Sequence, residues 1–225
     1  MQTPRPMVSI RRAALILASI FLPTAHAGPV EVGADGQKKY ADAFEMKQSA
    51  THTFECTLRQ TLKLQGMKKP VISKGHIYYA APDHLLIRFD EPSDEFVLLN
   101  GKHVTIKKSG EDAEERDLDP KKESDSTGIA MLLGFFQNGA SALKESHRIA
   151  MFEMEKLLNV TLTPKQPDRR PIMIVTHLSL PDLELHSQLI RFSRENEMSY
   201  EFIQPQRDQP LKEGIFDQPV KGATK

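Results

Sequence analysis

Thr53-Phe54-Glu55-Cys56-Thr57-Leu58-Arg59-Gln60-Thr61-Leu62-Lys63-Leu64-Gln65 alternates apolar and polar side chains almost without a break. The even positions from Phe54 to Leu64 are apolar except Gln60, and the odd positions from Glu55 to Lys63 are polar or charged. A period of two places the first set on one face of an extended strand and the second on the other. Gln60 is read as an amide satisfied within the core or at its rim. Cys56, the sole cysteine, sits inside the apolar set and reads as a buried, inert thiol.

The same rhythm returns at short spacing. Residues 75–81 put Ile77 and Tyr79 on one face, and Pro82-Asp83 turns the chain. Leu85, Ile87 and Phe89 alternate next, and residues 91–94 turn it again. Phe96 and Leu98 follow, then the hairpin dipeptide Asn100-Gly101, then Val104 and Ile106. These are consecutive antiparallel hairpins. The acidic stretch 111–119 reads as a solvated loop or an edge strand. Further strands are predicted at 147–152, 157–163, 172–180, 187–193 and 199–204. Leu158, Val160 and Leu162 share one face, as do Ile172, Ile174, Leu178 and Leu180. About ten strands exceed what a flat sheet holds without curling. The expected fold is mainly β: a strongly curved antiparallel sheet forming an incomplete β-barrel, closed by short α-helices.

Two segments carry helical signals. Residues 35–49 place Tyr40, Ala43, Phe44 and Lys47 at helical spacing. Residues 126–139 open on Ser126-Thr127 and end on Asn138-Gly139, and 129–136 hold no polar side chain. A helix apolar all round is buried on most of its surface, inside the curved sheet or across its mouth.

Composition narrows the function classes. The chain has 225 residues, 39% hydrophobic and 27% charged, with 30 basic and 30 acidic side chains. Balanced charge argues against a nucleic-acid binder. One cysteine excludes an internal disulfide framework. Residues 1–27 carry Arg5, Arg11 and Arg12, then an apolar run over 13–22, then Ala25-His26-Ala27. That is the pattern of a secretory signal peptide cleaved after Ala27. Its removal leaves 27 basic and 30 acidic residues on a periplasmic chain that does not span the membrane.

Chemistry-bearing motifs are absent from the sequence. There is no nucleophile elbow, no zinc-protease motif and no phosphate-binding glycine loop. His177 and His186 flank the Pro181-Asp182 turn, where exposed strand histidines are a better reading than a metal site. No enzymatic activity, cofactor or metal is expected.

Several stretches together resemble the LolA-type periplasmic lipoprotein carriers. They are 53–65, Lys74-Gly75-His76-Ile77-Tyr78-Tyr79, the corner Ala81-Pro82-Asp83-His84-Leu85, Phe89-Asp90-Glu91-Pro92 and Leu99-Asn100-Gly101-Lys102. The apolar segment 129–136, Leu162-Thr163-Pro164, Tyr200-Glu201-Phe202 and Ile215-Phe216 continue the likeness. The resemblance covers nearly all of residues 28–225, read as a single carrier domain. It implies an incomplete barrel that takes the acyl chains of a lipoprotein or another lipid and ferries them towards the outer membrane. Its implied partners are an inner-membrane donor and an outer-membrane acceptor. Best-known carriers have a basic residue immediately before the corner proline; Ala81 stands there in this chain. The chain therefore looks like a divergent member, with fold and acyl cavity more firmly implied than lipoprotein cargo.

The expected cavity lining is Phe54, Leu58, Leu62, Leu64, Ile77, Leu85, Ile87, Phe89, Phe96, Leu98 and Leu178. The expected lid, an apolar element that ligand displaces, is Ile129, Leu132, Leu133, Phe135 and Phe136. Lys68-Lys69 and Lys107-Lys108 are candidate contacts for lipid headgroups. An alternative of a different class is a periplasmic lipid-sensing or interaction domain that passes no lipid onward.

Overall fold

The computed structural model describes residues 28–92, 94–117, 144–166, 168 and 171–217. The lid segment 129–136 and the signal segment 1–27 lie outside the described residues. The chain enters through β1 (Val30–Glu31) and a single described helix, α1 (Ala34–Ala50). A run of hairpins follows: β2 (Thr53–Lys63), β3 (Val71–Ala80), β4 (His84–Glu91), β5 (Glu95–Asn100), β6 (His103–Lys107) and β7 (Glu114–Asp117). The second run is β8 (His147–Met154), β9 (Leu157–Pro164), β10 (Met173–Ser179), β11 (Glu184–Arg191) and β12 (Glu197–Arg207).

The twelve described strands join one antiparallel sheet in the order β1-β8-β9-β10-β11-β12-β2-β3-β4-β5-β6-β7. The two runs meet where β12 pairs with β2, so the first long strand lies near the centre. The order is linear, with β1 and β7 as edges, so the curved sheet stays open. The two strands beyond the expected ten are β1 and β7, and β7 makes the acidic stretch an edge strand. Glutamate, arginine and aspartate on a short edge discourage pairing with another sheet.

Local chemistry sets the element ends. Gly101, with φ of 65°, is the first residue of the two-residue turn between Asn100 and His103. Only glycine adopts such a backbone without steric cost. The helix α1 begins at Gly33, whose carbonyl accepts from Gln37 N–H at 2.9 Å. Asp35 in its first turn and Lys47 in its last complement the helix dipole. Its buried face is Ala41, Phe44 and Gln48, whereas Ala43, grouped with Phe44 by spacing, is exposed. The helical period holds, and its phase differs from the expected one by part of a turn.

Candidate functional site

Residues directly opposite each other on paired strands share a face. The register therefore sorts every strand side chain to one side of the sheet. The apolar core forms a single cluster, and its strand members all fall on one side, here called the inner face. Phe54, Tyr79, Leu85, Leu99 and Val104 make one row across five strands, each nearly inaccessible. Burying each such side chain is worth about 1.5–3 kcal/mol.

A longer row changes character along its length. Ile149, Leu162, Ile174, Ile190, Met198, Leu62 and Val71 stand opposite one another from β8 to β3. Ile174 and Ile190 are buried, Met198 and Leu62 half-buried, and Val71 is 42% exposed. Leu64, just past the end of β2, is 37% exposed, and Met67 in the connecting turn is exposed too. Lys68 and Lys69 lie in the same turn. The greasy inner face thus reaches the surface at the β2–β3 hairpin, beside two cations.

Of the expected lining residues, Phe54, Leu58, Leu62, Ile77, Leu85, Ile87, Phe89 and Leu178 lie on the inner face. Phe96 and Leu98 do not. Leu98 stands opposite Leu86 and Thr105, and Phe96 opposite Arg88 and Lys107, on the other side. Strand β5 is apolar on both faces, so its alternation carried no sign, and pairing with β4 makes Val97 and Leu99 the inward pair. Sequence reasoning also left out Ile174, Ile190, Tyr200 and Phe202, which belong to the same cluster. The alternation at 172–180 was the signal for Ile174, and the predicted strands 187–193 and 199–204 hold the other three.

Polar groups hold α1 against the opposite end of the inner face. Arg207, at the end of β12, donates from Nε to Glu184 Oε2 at 3.1 Å and from Nη1 to Thr51 Oγ1 at 2.7 Å. Its guanidinium stands 5.2 Å from the Phe54 ring centroid. Lys47 pairs with Glu184 as well and donates to the Asp182 carbonyl at 2.6 Å. Tyr40 Oη donates to Glu153 Oε1 on β8 at 2.8 Å. One carboxylate thus links two cations from the helix and the last strand.

Gly75 sits on the inner face between Leu58 and Phe89, where the β3–β4 register shifts. A Cβ there would stand 1.8 Å from the Arg88 carbonyl oxygen. The bulge is therefore closed to any larger residue.

Two chemistry-bearing side chains of the sheet are Cys56 on this face and His177 on the other. Burial above all, then the Glu55 charge, pushes the Cys56 thiol up to about 12, so it stays protonated and unreactive. His177 is held below its ordinary value, first by burial and then by His186. Its Nδ1 lies 2.9 Å from Ser187 Oγ and its Nε2 lies 3.2 Å from Asn159 Nδ2. Among the described residues no three His, Cys, Asp or Glu side chains gather as a metal site.

The family model described as "Outer membrane lipoprotein carrier protein LolA" matches residues 49–218. The chain belongs to the LolA family. No curated protein sequence matches it. An uncharacterized conserved protein from Thermus thermophilus superposes with a TM-score of 0.50 at 8% identity, over 81% of this chain and 93% of that one. MucB superposes with a TM-score of 0.50 at 13% identity, over 78% of this chain and 61% of MucB. A LolA superfamily protein from Nitrosomonas europaea gives a TM-score of 0.43 at 6% identity, over 80% and 96%. At these identities the likeness is one of fold. The matched region takes in the strands from β2 to β12 and the turn after them. Ala81, where best-known LolA carriers are basic, is exposed at the β3–β4 corner, and its N–H bonds the His52 carbonyl at 2.8 Å.

Proposed function

We propose that this LolA-family chain is a periplasmic carrier that binds acyl chains of a lipoprotein or another lipid against the inner face of its sheet. One observation carries the reading. The row from Ile149 to Val71 is continuous and apolar, and beyond Ile190 it is progressively uncovered towards the β2–β3 hairpin. Such a row supports a hydrocarbon guest entering at the hairpin, with Lys68 and Lys69 placed for anionic headgroups. The carrier needs no cofactor and performs no catalysis. Export by the segment 1–27 and exchange with membrane donors and acceptors are part of the same proposal.

Burying a sixteen-carbon chain is worth about 12 kcal/mol at roughly 0.8 kcal/mol per methylene. Release requires an offset. The apolar segment 129–136 is proposed on its sequence as the element that competes with the guest. Delipidated protein titrated with a fluorescent fatty-acyl probe is expected to bind saturably, and Leu132→Asp to alter that binding. Absence of saturable binding overturns the proposal. Recovery of one tight protein partner, with no lipid passed to acceptor vesicles, replaces it with the interaction-domain reading.

A further inference from the structure

One row of the inner face is polar. Thr176, Gln188, Tyr200, Gln60 and Ser73 stand directly opposite one another across β10, β11, β12, β2 and β3. An apolar row flanks it on each side, Ile174 to Val71 on one and Phe202, Leu58 and Phe89 on the other. Thr176 and Gln188 are each 5% exposed. Burying polar side chains costs stability unless each finds a good partner, and apolar residues fill the neighbouring rows.

The partners here are poor. Gln188 Nε2 donates to Thr176 Oγ1 at 3.1 Å, and among the described residues its buried Oε1 has no partner. Turning the amide over exchanges its two ends without removing the deficit, because Thr176 engages only one of them. Gln60 Nε2 lies 3.0 Å from Met198 Sδ and 3.1 Å from Tyr200 Oη. Tyr200 Oη in turn donates to the same sulfur at 3.2 Å. A thioether is a weak acceptor, and here it serves two donors. Burial pushes the Tyr200 phenol up to about 12, so it remains a neutral donor at ordinary pH.

The geometry points to this row as the seat of the ester or amide carbonyls of an acyl lipid, with the hydrocarbon lying over the apolar rows beside it. A carbonyl oxygen replaces the Met198 sulfur as acceptor for Gln60 and Tyr200. With its amide turned over, so that Oε1 accepts from the Thr176 hydroxyl, Gln188 presents Nε2 as the next donor along the row. The assignment rests on the carrier reading and sharpens it: the site selects acyl linkages over bare or ether-linked hydrocarbon.

The test is displacement of a fluorescent fatty-acyl probe from the purified protein by 1-palmitoylglycerol and by 1-O-hexadecylglycerol. These differ in the carbonyl alone. The ester is expected to bind about tenfold more tightly, the combined effect of two ordinary hydrogen bonds. Gln60→Leu and Gln188→Leu are expected to bring the ratio near one while ether binding changes less than about twofold. Tyr200→Phe keeps the ring in place and is expected to lose about threefold of the ratio, so a folding defect in the glutamine variants does not shield the idea. Equal binding of both lipids by the unaltered protein, or an unchanged ratio in Tyr200→Phe and Gln60→Leu, overturns the assignment and leaves the carrier reading standing. Absence of saturable probe binding removes both.

Discussion

The two ends of the inner face are built differently. Near α1, Phe54, Tyr79 and Leu85 are sealed, and the Arg207–Glu184–Lys47 group fastens helix to sheet. At the β2–β3 hairpin the same face runs out into Leu64, Met67 and Val71, exposed beside Lys68 and Lys69. One end resembles an ordinary protein core. The other is an exposed apolar surface edged by two lysines. One apolar face is therefore covered at one end and uncovered at the other, the end at which access is proposed.

Substitutions test that contrast from its strongest side. Phe54→Ala is expected to cost about 3–5 kcal/mol in denaturant unfolding, since it empties a sealed site and removes the surface under Arg207. A loss below about 1 kcal/mol would mean that the sealed end is loosely packed. Arg207→Met follows, at about 3 kcal/mol, because it leaves Glu184 and Thr51 short of a buried partner. Gly75→Ala is expected to cost about 1–3 kcal/mol through overpacking against the Arg88 carbonyl.

Alkaline pH probes the same buried region. Tyr200 and Cys56, ordinarily near 10.0 and 9.0, are both pushed up to about 12, chiefly by burial. The unfolded chain releases these protons first. Stability is therefore complete below about pH 9 and falls as pH rises towards 12. Thermal melting between pH 8 and 11 should show this fall, and Tyr200→Phe should shrink it. Equal pH slopes in the two proteins would mean that Tyr200 is not sealed from water.

The smallest effect on stability is expected at the open end. Val71→Ser and Leu64→Ser should change unfolding by less than about 0.5 kcal/mol. The same variants should weaken fatty-acyl probe binding severalfold. Unchanged binding in both would move the entrance away from the hairpin.

Much of the fold is legible in the chain. Period-two runs, proline corners and the Asn100-Gly101 turn announce the meander, and eleven alternating residues announce the central strand. The candidate face is legible wherever one side of a strand is apolar and the other is not, as at Phe54, Leu58, Ile77, Leu85 and Ile87. It is illegible in β5, where Phe96 and Leu98 compete with Val97 and Leu99. Gln60 was readable as an amide on the greasy side. Its alignment with Tyr200, Gln188 and Thr176 was not, because those residues come from strands more than 110 positions away.

Amino-acid order alone determined the period of each element, because backbone geometry ties side-chain direction to local spacing. Tertiary structure decided which faces coincide. Bulges near Lys74, His177 and Ile203 shift strands against one another, and each one-residue slip reverses a face. It also drew Arg207 and Glu184, charged residues at strand ends, beneath a helix some 150 residues distant in the chain, where ion pairing offsets the cost of leaving water.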